Sequence, residues 1–336
     1  MPETLVSLPL FSSHIINPSF SGLVEWGAEL AGVSLESTEH LAGKILASPR
    51  IGQSRSTLNN DGSPLQLCVT LGGQGCAPAI RLIADPAAEE ADGLKRWLAA
   101  DEARSALVES HATALKPLCD SLVDGMLPNE LSARAALPNG AMWLAADLSG
   151  QGMAVYTTTK WEAGLQRWQR AQEWLETILP DASVAVEKLK RLAPRAHLIS
   201  AGIEGSHPQN ARAKLYWRLQ ENASLRDLEI PLFENDVFSE FLFEAVGKTR
   251  QIPRAAIVGS IGFHVATGSL KDAKLDVCGH CVRRTPEDWT NVIERIVVRQ
   301  QLARSPKFLE TAELAFTGCG LDTELRPRLN LYLKNL

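Results

Sequence analysis

Ala211–Leu219 reads ARAKLYWRL, and the two faces it implies differ sharply in chemistry. A β-strand sends alternate side chains to opposite sides. Here Ala213, Leu215, Trp217 and Leu219 form an apolar set, while Arg212, Lys214, Tyr216 and Arg218 form a polar one. Three further segments repeat the pattern. In RLNLYLK, Leu329, Leu331 and Leu333 oppose Arg328, Asn330, Tyr332 and Lys334. In LQLCVTL, Leu65, Leu67, Val69 and Leu71 oppose Gln66, Cys68 and Thr70. In KLDVCGHC, Leu275 and Val277 oppose Lys274, Asp276, Cys278 and His280.

Such segments come in pairs joined by short turns rich in Gly, Asp, Ser or Asn, the mark of hairpins. The pairs are Ser63–Leu71 with Ala79–Ala84, Met142–Leu148 with Met153–Lys160, His197–Ile203 with Arg212–Leu219, Ile257–Ala266 with Lys274–Val282, and Glu313–Thr317 with Arg328–Lys334. Their starts recur about every 55 to 80 residues, a spacing that suggests an internal repeat. Between them lie helix-length stretches. Trp161–Leu179 carries Leu165, Trp168, Ala171, Trp174 and Leu175 near helical spacing, Pro86 opens another, and Thr285-Pro286-Glu287-Asp288 is a helix start with an acidic first turn. The N-terminal 50 residues read as one or two more helices. The expected fold is therefore α+β: ten antiparallel strands in about five helix–strand–strand–helix units, in one domain over 1–336.

Two architectures satisfy this alternation. In an open sheet with helices on one side, the polar faces meet bulk water. In a closed barrel with helices outside, the polar faces line a lumen, and ten strands leave room for one. The chain has only three tyrosines, Tyr156, Tyr216 and Tyr332, and each falls on the polar face of the second strand of a hairpin. A solvated face gives no reason for that placement; a chamber shielding a reactive species does. The reading favours the barrel.

Composition bounds the partners. An apolar fraction of 45% and a charged fraction of 22% are those of a soluble globular protein. A net charge of −5 argues against nucleic acid or an anionic membrane surface, so a bound anion needs a local cluster of cations. No run is long and apolar enough for a membrane span. The first 20 residues, MPETLVSLPLFSSHIINPSF, lack the basic start and apolar run of a signal peptide, and the six scattered cysteines read as reduced thiols in a cytoplasmic protein.

Certain residues resemble those of a known family. LNNDGSPLQLCVTLGGQGCAPAIRLIADP, at 58–86, resembles the first strand pair of aromatic prenyltransferases of the dimethylallyltryptophan-synthase type. Arg212-x-Lys214-x-Tyr216 matches that family's diphosphate-binding strand, and RLNLYLK its last strand. The resemblance implies a prenyltransferase barrel (the ABBA fold) that moves a dimethylallyl or longer prenyl group from its diphosphate to an indole or another electron-rich ring. It implies that Arg81, Arg212 and Lys214 hold the diphosphate, with Lys274 and Arg328 as further candidates, and that Tyr156, Tyr216 and Tyr332 wall the allylic cation. Loss of diphosphate needs the leaving anion stabilised, and tyrosine rings stabilise cations.

Three positions depart from the pattern. Ala154 stands where the family has a lysine, Asp276 where it has a tyrosine, and Gln66 where it has the acceptor-binding glutamate. Gln66 is expected to orient the acceptor without serving as base. The final proton then goes elsewhere, to a carboxylate such as Asp276 or to the diphosphate. No cofactor is expected beyond the prenyl diphosphate co-substrate, and magnesium is not expected to be required.

Other signals are weaker. CGHC, at Cys278–Cys281, matches disulfide-exchange motifs, but strand alternation sets its sulfurs on opposite faces, and a zinc site there lacks a second ligand pair. His14, His40, His111, His197, His207 and His264 are isolated. No DDxxD, GxxxxGK[ST] or GxGxxG motif occurs in a supporting context. The rival readings are a non-catalytic barrel for a phosphorylated or lipid-like ligand, and a thiol oxidoreductase.

Overall fold

The structure is a computed structural model that describes residues 18–47, 56–137, 140–150, 152–221, 223–247, 256–282, 284–305 and 312–335. The signal-peptide reading and His14 fall on residues 1–17, outside those described. Five hairpins build the sheet: β1 (Leu65–Leu71) with β2 (Ala79–Ala84), β3 (Met142–Asp147) with β4 (Met153–Thr158), and β5 (Ala196–Gly205) with β6 (Arg212–Leu219). Then come β7 (Ile257–His264) with β8 (Leu270–Cys278), and β9 (Ala312–Asp322) with β10 (Pro327–Asn335). Every strand pairs antiparallel with its chain neighbours, and β10 returns to β1 with Leu331 opposite Val69. The sheet is thereby a closed ten-stranded barrel, and closure removes both exposed edges.

Helices cover the outer face. α1 (Pro18–Ala31) and α2 (Leu35–Leu46) lie on the first hairpin, and α3 (Gly93–His111) and α4 (Lys116–Met126) on the second. The short α5 (Leu131–Ala135) leans on α3, α6 (Gln166–Ile178) packs on β5 beside α7 (Ser183–Leu192), and α8 (Asp236–Val246) packs on β8 and β9. A single turn, α9 (Gly279–Val282), follows β8, and α10 (Pro286–Arg299) packs on α8. The apolar strand faces point at this shell: Leu67, Val69, Leu71, Leu215, Trp217, Leu329, Leu331 and Leu333 are fully buried. Each such side chain contributes roughly 1.5–3 kcal/mol on burial. The polar faces consequently line the lumen.

Several boundaries differ from the expectation. The helix expected at Pro86 begins at Gly93, because Ala87 turns the chain with φ +50° and Asp92 caps the amides of Leu94 and Lys95. The helix expected from Trp161 begins at Gln166, since Trp161 instead donates its indole N–H to the Met126 carbonyl. The start at Thr285 holds: its side chain accepts from the Asp288 amide, and Asp288 accepts in return. A strand over Lys274–Val282 is not observed. It runs four residues earlier, and Gly279–Val282 coil into α9.

Candidate active site

The lumen encloses about 440 Å³, within the range of small-ligand cavities. All nine residues singled out from sequence line it: Gln66, Arg81, Tyr156, Arg212, Lys214, Tyr216, Lys274, Arg328 and Tyr332. Strand alternation stacks them in levels.

At the lower end an ion network joins six strands. Arg212 donates through Nε to Glu204 Oε2 at 2.8 Å and pairs with Asp272 on its other side. Arg328 donates to the same Asp272 oxygen at 2.8 Å. Arg81 donates to Asp147 at 2.6 Å and lies 3.8 Å from Glu204. Burial favours a protonated carboxyl, but Arg212, Lys214 and Arg81 overcome it and hold Glu204 well below the usual range. Asp272 is lowered against the same burial by Arg212 and Arg328.

The middle level carries the ammonium groups and the rings. Lys214 lies 3.6 Å from Glu204 and 4.9 Å from the Tyr216 ring centre. Its burial lowers its pKa to about 7, an effect that Glu204 only partly offsets. Lys274 donates to the Tyr332 hydroxyl at 2.6 Å, pairs with Asp276 at 2.6 Å, and stands 5.5 Å from the Tyr216 ring centre. Tyr156 and Tyr216 meet edge to face at 5.7 Å, and both hydroxyls donate to Glu204, at 2.8 and 3.1 Å. Burial, with Glu204 nearby, keeps both phenols protonated. Counted around the chamber, seven Lys and Arg residues face Asp147, Glu204 and Asp276, with Asp272 behind two arginines, an excess of three positive charges.

Glycines make room for these long side chains. Gly202 stands between Tyr156 and Lys214 in the register, and a Cβ there would lie 2.5 Å from the Tyr156 ring. Gly262 stands between Lys214 and Asp272, and its Cβ would lie 2.4 Å from Asp272 Oδ1. Gly318, opposite Asp276, would place one 1.8 Å from Asp276 Oδ1, and Gly320, between Lys274 and Arg328, one 2.8 Å from the Arg328 guanidinium.

The upper end is more apolar, walled by Leu58, Ile83, Trp143, Ile199, Val258 and Phe316. Gln66 projects there and is 3% exposed. Its amide nitrogen donates to Asn59 Oδ1 at 2.8 Å, and its carbonyl oxygen accepts no bond from the described residues. Asn59 is itself fixed, donating to Ser63 and to the Leu65 carbonyl. Arg218 and the more exposed Lys160 also face this end, and neither side chain has a partner among the described residues. Ala154, at the position of the missing lysine, is fully buried against Cys68, Ile83 and Ala145.

Sequence reasoning missed Glu204, Asp272, Asp147, Lys160, Arg218 and Trp143. Asp272 fell outside a strand begun too late, and Glu204 looked like an acid entering a turn. The register shift between Leu198 and Ser200 hides that Ser200, Gly202 and Glu204 share the lumen face. The CGHC reading is also corrected. Because Gly279–Val282 is helical, the sulfurs are not on opposite faces: the donor atoms of Cys278, His280 and Cys281 lie within 4.8 Å of one another. Burial pushes the Cys278 thiol up to about 12, the reverse of what thiol exchange needs.

No protein-family model and no curated protein matches this chain. Solved structures do. PriB in ternary complex with L-tryptophan and dimethylallyl thiolodiphosphate superposes with a TM-score of 0.76 at 16% identity, over 94% of this chain and 95% of that one. The 6-dimethylallyltryptophan synthase from Micromonospora olivasterospora gives 0.75 at 17%, over 94% and 96%. AnaPT from Neosartorya fischeri gives 0.69 at 16%, over 95% and 92%. At such identities the likeness is one of fold, and that fold is the prenyltransferase barrel.

Proposed function

We propose that this barrel is an aromatic prenyltransferase, moving a dimethylallyl or longer prenyl group from its diphosphate to an indole or another electron-rich ring. The observation that carries the reading is the meeting, in one lumen with three positive charges in excess, of arginine and lysine side chains with tyrosine rings that already stand against ammonium groups. Arg81, Arg212, Lys214, Lys274 and Arg328 hold the diphosphate, the guanidiniums by forked donors. The allylic C–O bond breaks and its electron pair leaves on the diphosphate. The cation forms beside Tyr156, Tyr216 and Tyr332, whose faces stabilise it while the closed wall limits water. A π-pair of the acceptor ring then forms the new C–C bond, and the ring proton passes to the diphosphate or to Asp276. Gln66 orients the acceptor through its carbonyl oxygen, which accepts no bond among the described residues. Two of the solved structures named above, PriB and the Micromonospora olivasterospora synthase, support the substrate classes, being described with tryptophan and a dimethylallyl diphosphate analogue.

The reaction in this reading does not require magnesium, because side-chain cations neutralise the leaving group. No helix among the described residues is long and apolar enough to cross a membrane, and we place the enzyme in the cytoplasm. The test is incubation with dimethylallyl or geranyl diphosphate and a panel of aromatic acceptors, with and without EDTA, read by mass. An adduct one prenyl unit heavier supports the enzyme. Tight diphosphate binding without any adduct favours the non-catalytic carrier.

A further inference from the structure

Cys278 ends β8 at the upper rim, paired in register with Phe316 of the chamber wall. The helical turn that follows carries His280 and Cys281 back over it. From His280 Nε2, Cys278 Sγ lies 3.9 Å and Cys281 Sγ 3.4 Å away. Donors around a tetrahedral zinc, with bonds of about 2.3 Å to sulfur and 2.0–2.1 Å to nitrogen, sit roughly 3.5–3.8 Å apart. Small side-chain rotations bring the three atoms to that spacing.

The turn is placed by the barrel frame. A Cβ at position 279 would lie 2.5 Å from the Leu314 carbonyl oxygen and 3.2 Å from that of Ala315, so only glycine lets the motif press against β9. Cys278 is buried, Cys281 half-buried and His280 exposed, which leaves one side open to solvent for metal entry and a further ligand. Two thiolates neutralise a divalent cation, a combination suited to a partly desolvated rim.

We propose that Cys278, His280 and Cys281 bind one thiophilic divalent cation of the zinc type, with water in the fourth position. Two thiol protons leave to solvent, and the sulfur and imidazole lone pairs go to the metal, with no change of oxidation state. The site is separate from the diphosphate pocket and does not depend on the prenyl-transfer reading.

The experiment is titration of the reduced full chain with Zn²⁺ against a chromophoric chelator, and with Co²⁺ as a spectroscopic probe. One equivalent is expected to bind, with a thiolate-to-cobalt charge-transfer band. Cys281→Ser and His280→Ala, at the less buried positions, should each weaken binding at least tenfold with unchanged circular dichroism. Cys278→Ser with Cys281→Ser should abolish the band, and Cys76→Ser, at an exposed cysteine, should change nothing. Absence of stoichiometric uptake, or uptake unaltered in both single variants, overturns the proposal.

Discussion

The ammonium nitrogen of Lys214 stands 4.9 Å from the centre of the Tyr216 ring, so this ring already faces a positive charge before any ligand arrives. Cation–π attraction is worth about 2 kcal/mol or more when desolvated. Tyr216→Phe keeps the face and should lose little in the chemical step. Tyr216→Leu removes it, and single-turnover rates should fall at least tenfold with donor affinity changed much less.

Lys214, with its pKa brought to about 7, is charged below that pH and neutral above it. An unfolded lysine stays protonated to about 10.4. Between these limits the unfolded chain binds the extra proton, so this group makes the folded protein more stable as pH rises. Diphosphate binding needs the ammonium and runs the other way. The donor kcat/KM should fall by up to about tenfold per pH unit above 7, and Lys214→Met should flatten that profile at a low level.

Arg212 sits between Glu204 and Asp272, so its loss has two consequences. Arg212→Ala removes contacts to the diphosphate worth roughly 1.5–3 kcal/mol, a ten- to hundredfold loss in donor kcat/KM. It also leaves two buried carboxylates short of a partner, and denaturant melts should show reduced stability. Lys214→Ala should cost the fold less, because this ammonium is itself costly to bury.

Gln66 is held by an asparagine whose orientation is locked by donations to Ser63 and Leu65. A carboxylate in its place would face Asn59 Oδ1. Gln66→Glu should therefore destabilise the fold by about 1–3 kcal/mol. Gln66→Ala should raise acceptor KM more than donor KM, and equal effects on both would remove it from the acceptor subsite.

Gly318 lies under Asp276, where an added Cβ would come 1.8 Å from the carboxylate. Gly318→Ala should displace Asp276, and with it Lys274 and Tyr332, costing about 1–3 kcal/mol as overpacking does. Combining it with Asp276→Gly should restore much of the stability, and a double-mutant cycle measures that coupling.

The barrel was legible because a period-two pattern recurs in every hairpin, and three tyrosines at one repeat position told the inner face from the outer. The nine cations, rings and amide named from sequence do meet in one chamber. What escaped was the anionic half of the network. An acid beside a turn, as at Glu204, carries no local sign of burial, because its environment is made by Arg212 and Lys214 across the hairpin and by Arg81 from a strand distant in the chain. The CGHC turn escaped because Val277 and Val282 flank it like strand residues, whereas Gly279 and the β9 carbonyls bend it.

The ladder between β1 and β10 ties together segments more than 250 residues apart. Contacts of that separation carry a large loop-closure cost and slow folding. During synthesis β10 emerges after every other strand, so until then β1 and β9 each present an unpaired row of amides and carbonyls. This barrel should consequently refold slowly and concentration-dependently from denaturant, with aggregation seeded at those two temporary edges. A peptide copying Pro327–Asn335, added during refolding, should compete for the last place in the sheet.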